Sequence, residues 1–578
     1  GGDGYGEAWC AQVYLEHFLG DWEGLDKGMA GVDRLLRANL RPEARSQDPC
    51  VQPFRAFAYP LDEALFAQLT AKIVDQERER IPPSSVFQLT AQRTLDPADR
   101  RLRVGYMSAD FGGHTVGSLV RNLLKMHNRN RVEIHGIAMM KGDGTEWNVD
   151  MQASVDRWLS IHGMTDQAAA FAVDSLEVHV LIDLQGHSKG ARTGVLLRRP
   201  APIIASFLGY PSTSGAVADI IVADKWTLPP ETRNLYTEKM AFLPHSYFVN
   251  DHRQLYPRPF EPPPSRQDHD LPNQATLIGN FGQLYKVEPK LFDIWCRIMK
   301  RIAAITGYPA KQADNSKEMS EPSGDKNWPA ALWLLEFPPE TAPRIRRAAR
   351  GRGKLKEQQL VLSPLLPIDN HLAIKSLADF ALDTLVFNGH TTAADTLWAG
   401  LPMVSLPGVQ MRSRAGASMA ASLGIFSTLA RTLQDYEDIA VRLGSSRKTL
   451  RRVRRNLNKA IQAEGGFFDT AYWAKEFERT WFLMWDAYQA SENSHTYHLK
   501  STADALEKYG TDWEPLNIMI GTSRYKRSKE STSAKSLAAS LDAATHVKRV
   551  HDPLGIAARS RAARAAAAER EQGEEDES

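Results

Sequence analysis

"RLRVGYMSADFGGHTVGSLVRNLLKMHNRNRVEIHGIAMM", residues 101–140, is the stretch that decides the fold. "RLRVGYMSADF" reads as a buried strand running into a polar loop, "TVGSLVRNLLKMH" as a helix and "RVEIHGIAMM" as a second strand. A short apolar strand, a helix and another apolar strand form the repeating unit of a parallel sheet covered on both faces. The unit recurs downstream in "HVLIDLQGH" (179–187), "PIIASFLGYP" (202–211) and "DIIVADK" (219–225), each an apolar run ending in a polar or glycine-rich turn. In such folds the functional groups belong on loops leaving the C-terminal ends of the strands.

Outward from this block, residues 253–273, "RQLYPRPFEPPPSRQDHDLPN", are rich in proline and polar residues and read as a linker. A second α/β series follows: strand "ATLIGNF", the amphipathic helix "EPKLFDIWCRIMKRI", then strand candidates "ALWLLEF", "LVLSPLLP", "DFALDTLVF" and "PMVSLPG". Residues 306–328 within it are polar and read as a surface insertion. On the N-terminal side, residues 1–40 carry apolar positions at three and four spacing (Trp9, Val13, Phe18, Trp22) and read as two helices turning near Gly20. Residues 41–100 form a helical connector around "YPLDEALFAQLTAKIVDQERER". The sequence thus divides into 1–40, 41–100, a first α/β half at 101–252, the linker 253–273, a second half at 274–490, and a tail at 491–578. The tail is Ala/Arg-rich, then acidic, and reads as helical or disordered.

Composition sets outer limits. The 578 residues are 43% hydrophobic and 24% charged, ordinary for a soluble globular protein. Lys plus Arg is 71 against 69 for Asp plus Glu, so a net charge of +2 gives no reason to expect nucleic-acid binding. Cys10, Cys50 and Cys296 form no close pair in sequence, which suggests neither a disulfide framework nor a zinc site. No apolar run approaches the ~20 residues that span a bilayer, and no signal peptide is visible. A membrane partner is not expected. HExxH and Walker A patterns are absent.

"FNGHTTAADTLWAG", residues 387–400, carries the most chemistry. His390, Thr391 and Thr392 stand where a helix begins, and the first turn holds no carboxylate. Helix N-termini offer unpaired amides and a positive dipole end, which suit an anion such as a diphosphate. Asp395, one turn later, is acceptor-only and fits a pair of sugar hydroxyls such as those of a ribose. The alternative is that a threonine merely caps the helix. "GNFGQLYKVEP" brings Gln283 and Lys286 to another strand exit, where the lysine is either a phosphate ligand or a solvated surface cation. "LPIDNHLAIK" places His371 at a third. In the first half, "SADFGGHTVGSL" sets His114 after two glycines, "LQGHSKGAR" offers His187, Ser188 and Lys189, and "LGYPSTSGA" gives a further turn with Gly209 and Pro211. Ordinary turn chemistry accounts for each loop singly. His114 is open to service as donor, acceptor or general base.

Taken in order, "LRVGYMSADFGGH", "KGAR…RPAPI", "LGYPSTSGA", "EKMAFLPHSYFVNDH", "FGQLYKVEP", "LWLLEFP", "NGHTTAADTLWAGLPMV" and "YEDIAVRLG" resemble the catalytic region of the O-GlcNAc transferase family. The resemblance covers roughly residues 100–490. It implies a GT-B architecture, two Rossmann-like halves facing a cleft, preceded by the last helices of a tetratricopeptide array. It also implies inverting, metal-independent transfer of N-acetylglucosamine from UDP-GlcNAc to Ser or Thr, in extended segments of cytoplasmic or nuclear proteins, with no cofactor. Carried over by motif, His114 is the active-site histidine. Gln283, Lys286, Leu366, Pro367, Ile368, His371, His390, Thr391, Thr392 and Asp395 contact the donor, Lys286 stabilising the leaving diphosphate. His187, Gly209 and Pro211 fall on the sugar or acceptor side. The array would recruit acceptors and offer a surface for a homo-oligomer. Several positions depart from the animal members: Ile368 stands for a lysine, Phe387 for a cysteine and His187 for a tyrosine. The long domain between the halves is reduced to the linker. Two other functions stay open: a SPINDLY-type protein O-fucosyltransferase using GDP-fucose, and a protein-binding scaffold without catalysis.

Overall fold

Two parallel sheets organise the computed structural model, which describes residues 3–44, 46–87, 95, 99, 101–306, 329–490 and 518–519. The first half holds β1 (Leu102–Ser108), β2 (Val132–Ala138), β3 (Arg157–Ser160), β4 (Val180–Asp183), β5 (Ile203–Ser206), β6 (Ile220–Ala223) and β7 (Lys239–Phe242). The second holds β8 (Thr276–Asn280), β9 (Ala330–Glu336), β10 (Leu360–Pro364), β11 (Phe380–Leu382) and β12 (Met403–Val404). A two-residue strand, β13 (Ile518–Met519), adds to the edge of the first sheet beside β7. The orders are β13-β7-β6-β5-β4-β1-β2-β3 and β10-β9-β8-β11-β12. Every recorded pairing is parallel, for example Val104 with Val180 and Ile278 with Phe380.

These orders fix where a ligand can sit. In the first sheet the chain goes from β1 outward to β2 and later returns to place β4 on the other side of β1. In the second sheet β8 has β9 on one side and β11 on the other. At such switch points the loops leaving adjacent strands diverge and open a crevice. The loops in question are those after β1 and β4, and those after β8 and β11. They carry His114, His187, Lys286 and the Asn388–Thr392 run.

The core explains why these segments are strands and helices. β1, β2, β4 and β5 are buried along almost their whole length, as continuous apolar runs require. Helix Pro289–Ile305 buries Leu291, Phe292, Ile294, Trp295, Ile298 and Ile302 against the second sheet, each worth about 1.5–3 kcal/mol for a full-sized apolar side chain. Two strands, Arg157–Ser160 at one edge of the first sheet and Lys239–Phe242 between β6 and β13, are additions to the sequence reading. Arg157–Ser160 is half exposed, so it lacks the apolar run that marks its neighbours.

Several packing relations lie beyond the sequence divisions. Helix Thr470–Ala490, which ends the second half in sequence, packs on the first sheet. Glu478 accepts from the Asn128 amide at 2.8 Å and meets His127 Nδ1 at 3.1 Å, and Trp473 Nε1 donates to Ser246 O at 2.9 Å. The N-terminal helices Asp3–Phe18 and Leu25–Asn39 pack on the second half. Trp22 lies 5.2 Å from Phe292, and Tyr14 and Phe18 lie 6.3 and 6.0 Å from Tyr285. Tyr285 precedes Lys286, so these helices support the loop after β8. The 253–273 segment is tied to the second half by Arg266, which donates to Leu377 O and to Asp379 at 2.9 Å. The fold also pairs two cysteines that are 40 residues apart: Cys10 and Cys50 are free thiols with Sγ atoms 2.8 Å apart. Residues 307–328 of the insertion and nearly all of the tail lie outside the described residues.

Candidate active site

The loop between β11 and helix Thr391–Trp398 is clamped from below. The buried carboxylate of Asp383 accepts from the amides of Thr384 (2.9 Å) and Gly389 (3.0 Å) and from Ser405 Oγ (2.8 Å). Asn388 takes the Arg412 carbonyl at 2.9 Å through its amide, its side chain donates to Thr384 O, and Thr384 Oγ1 donates to Phe387 O at 2.6 Å. The clamp delivers His390 as the N-cap in a non-helical conformation, with no side-chain cap bond. Ala393 and Ala394 donate to His390 O at 3.0 and 3.1 Å. Among the described residues, the amides and hydroxyls of Thr391 and Thr392 that precede them have no hydrogen-bond partner. Gly389 keeps this entrance open, since a Cβ there would stand 2.8 Å from Thr392 Oγ1 and 3.3 Å from the Ala393 amide.

Lys286, at the end of the turn after β8, stands behind that entrance. Its ammonium donates to Asn388 O at 3.0 Å and lies 3.7 Å from the centroid of Phe387. Burial pushes its pKa down to about 8, against the opposing pull of Asp383. His390 Nδ1 lies 3.2 Å from the same Asn388 carbonyl. A carbonyl only accepts, so Nδ1 carries the proton and Nε2 is an unprotonated acceptor, buried and without a partner. Burial and the nearby Lys286 charge push this histidine down to about 3, so it stays neutral.

Asp395 lies one turn into the helix and is 5% exposed. Its Oδ1 meets His252 Nε2 at 2.8 Å and its Oδ2 accepts from Lys375 Nζ at 3.0 Å. Burial alone would raise this carboxyl, but the Lys375 charge and the His252 hydrogen bond overcome it and hold Asp395 well below the usual carboxylate range. Phe281 floors this corner, 6.0 Å edge-on to His371 and 5.6 Å from the Lys375 ammonium. Burial, with the Lys375 charge, pushes His371 down to about 4.

The first half supplies the facing wall. His114 caps helix Thr115–Met126: its Nδ1 accepts from the Val116 amide at 3.3 Å and lies 3.5 Å from Asp110. A neutral imidazole in that arrangement carries its proton on Nε2 and presents a donor outward. Asp251 is 1% exposed. Its Oδ2 accepts from the Asn122 amide (3.1 Å) and side chain (2.7 Å), while Oδ1 is buried without a partner. Burial, only partly offset by the Asn122 bonds, pushes this carboxyl up to about 7.

Between the walls is a cleft of about 830 Å³, the size of a small-molecule site. Of the residues singled out in the sequence, His114, Gln283, Leu366, Ile368, His371, Thr391, Thr392 and Asp395 border it. Lys286 and His390 stand behind the Thr391 entrance, and Pro367 caps helix Ile368–Lys375. His187, Gly209 and Pro211 lie apart from this cleft. His187 Nε2 bonds Ser214 O at 2.9 Å with its ring 5.2 Å from Tyr210. Gly209 is required by close approach, because a Cβ would stand 1.9 Å from Leu184 O. Sequence reasoning missed Lys375, His252, Asp251 and Asp383. Only Lys375 carried a signal, lying four residues after His371 and therefore on the same helix face.

Comparison with known proteins agrees with this geometry. The model of glycosyl transferase family 41 matches residues 19–261, 263–318 and 325–477. A probable UDP-N-acetylglucosamine–peptide N-acetylglucosaminyltransferase SEC of Arabidopsis thaliana is 33% identical over 496 residues, covering 84% of this chain and 47% of that protein. The Caenorhabditis elegans UDP-N-acetylglucosamine–peptide N-acetylglucosaminyltransferase is 26% identical over 587 residues, covering 81% and 48%. A relative from Petunia hybrida named SPINDLY, carrying the same transferase description, is 25% identical over 402 residues, covering 68% and 39%. The chain therefore spans about half the length, or less, of these curated relatives. Among solved structures, a variant of Thermobaculum terrenum O-GlcNAc transferase superposes with a TM-score of 0.65 at 25% identity, covering 83% of this chain and 85% of that one. With a family model matched along most of its length and a two-sheet fold shared with that transferase, this chain belongs to glycosyl transferase family 41.

Proposed function

We propose that the chain transfers N-acetylglucosamine from UDP-GlcNAc to Ser or Thr hydroxyls of proteins, with inversion and without a metal ion. The observation that carries the reading is the open helix entrance. Two threonines with unpartnered amides and hydroxyls face a cleft, with a lysine behind them and an ionised carboxylate one turn away. That set matches a nucleotide diphosphate: anion at the helix end, ribose diol at Asp395. The names of the relatives supply the sugar and the protein acceptor.

In this reading the acceptor hydroxyl oxygen attacks the anomeric carbon as the bond from that carbon to the diphosphate oxygen breaks. The electron pair leaves with UDP, and the hydroxyl proton passes to a base. Lys286 and the helix end stabilise the charge that grows on the departing phosphate. Donors fixed in place before the reaction do so without reorganisation. His114, with Nδ1 engaged by its own helix, offers Nε2–H as a donor. This favours an oxygen of the donor's phosphate as the proton acceptor. Extended Ser/Thr segments of cytoplasmic or nuclear proteins are the proposed acceptors, and the upstream array their recruiter and a self-association surface. Among the described residues no helix is long and apolar enough to cross a membrane.

The test is transfer by purified protein from each of two labelled donors, UDP-GlcNAc and GDP-fucose, with and without EDTA. Label entering protein from UDP-GlcNAc, undiminished by EDTA, is the expected result. Label entering only from GDP-fucose overturns the donor assignment. No transfer from either donor favours the scaffold reading.

A further inference from the structure

Helix Ile368–Lys375 presents Ile368, His371 and Lys375 to the cleft at three and four spacing, so all three share one face. Lys375 is 1% exposed, a rare condition for a lysine and one that demands a counter-charge. Its recorded counter-charge is Asp395, reached from a different helix at 3.0 Å. Asp395 is equally dependent on the pair. A carboxyl this deeply buried, left alone, binds a proton, and then one oxygen becomes a donor. An ionised carboxylate has about four acceptor sites. His252 occupies one on Oδ1 and Lys375 one on Oδ2, leaving one on each oxygen. Two free acceptors side by side match the two O–H donors of a ribose diol.

We propose that Lys375 is a positioning residue that keeps Asp395 ionised and oriented, and so makes the cleft select ribonucleotides over 2′-deoxyribonucleotides. The inference rests on the nucleotide reading above and goes beyond it, because it assigns sugar selection to a residue that acts through another. A 2′-deoxynucleotide leaves one desolvated carboxylate acceptor unpaired. An unpaired buried partner of a charged group costs more than an ordinary hydrogen bond returns, which corresponds to about ten- to hundredfold in affinity.

Calorimetric titration of the full chain with UDP and with 2′-deoxy-UDP measures this ratio. The wild type is expected to favour UDP by at least about tenfold. In Lys375→Met the ratio falls toward one, mainly through weaker UDP binding, while Lys375→Arg retains most of it. Lys375→Gln, which keeps a donor but loses the charge, is the second variant should the methionine leave too little folded protein, and it too should lose the ratio. A merely structural lysine would weaken both ligands together and leave the ratio intact. A wild-type ratio retained by Met or Gln variants that still bind UDP overturns the inference alone. Failure of the wild type to bind UDP overturns the nucleotide reading, and the inference with it.

Discussion

Raising the pH from 7 to 9 should weaken binding of UDP-GlcNAc about tenfold, through one residue. Lys286 is held near pKa 8 in the free protein by burial, and only its protonated form attracts a diphosphate. With that pKa the protonated fraction falls from about nine-tenths at pH 7 to about one-tenth at pH 9. The loss is about 1.4 kcal/mol, one pKa unit's worth. The neighbours stay silent in this window once Asp251, which lines the cleft and titrates at about 7, is held neutral as Asp251→Asn: His390 at about 3 and His371 at about 4 are neutral throughout. Asp383, pushed up by burial to about 6, is already ionised. The diphosphate diester of the donor does not titrate there either. Calorimetry at pH 7, 8 and 9 reads the affinity, and two buffers of different ionisation enthalpy at pH 8 read uptake of about half a proton per donor bound. Lys286→Met should abolish both effects and weaken binding at pH 7 by about 1.5–3 kcal/mol, the worth of a charge-assisted hydrogen bond. Constant affinity across the window in the Asp251→Asn background, or a slope that survives there with Lys286→Met, refutes the reasoning.

Three further outcomes follow from the same geometry. Gly389→Ala, which brings a Cβ to 2.8 Å from Thr392 Oγ1, should reduce UDP affinity about tenfold or more with a small change in melting temperature, since the crowded Thr392 hydroxyl stands at the anion site; unchanged affinity would show that the entrance is not used. His114→Ala should cut transfer strongly while UDP affinity stays within about threefold, at a cost of about 1 kcal/mol in stability from the lost helix cap; a collapse of UDP affinity would make His114 a donor-site residue. Asp251, at about 7 when folded against ~3.9 unfolded, holds a proton that the unfolded chain has released between those values. Wild-type stability should therefore fall as pH rises from about 4 to 7, by up to about 1.4 kcal/mol per unit from this group, and Asp251→Asn should remove that contribution. Urea midpoints at pH 5 and 7 check this, and equal slopes in the two proteins would contradict it.

How much of this was legible in the sequence depends on which interactions are local. β1, β2, β4 and β5 could be read because burial on both faces demands unbroken apolar runs. Arg157–Ser160, half exposed at the edge, offers no such run. The Asn388–Thr392 entrance was legible because capping chemistry is written in consecutive residues. The neighbours that set its electrostatics were not. Asp395 meets Lys375 from 20 residues away and His252 from 143 away, and neither separation leaves a periodic trace. Cys10 and Cys50, brought together only by the packing of two N-terminal segments, illustrate the same limit. The return of helix Thr470–Ala490 to the first sheet likewise depends on tertiary partners such as Asn128 and Ser246.

The central claim is that the helix entrance at Thr391, with Lys286 behind it and Asp395 beyond, holds a uridine diphosphate sugar for transfer. Single-turnover transfer from labelled UDP-GlcNAc to an acceptor protein, measured side by side for wild type and Lys286→Met at saturating donor, tests it most directly. The account predicts label on acceptor Ser or Thr with the wild type, and a rate at least about tenfold lower in the variant even when its donor site is full. A wild-type rate retained by the saturated variant would contradict it.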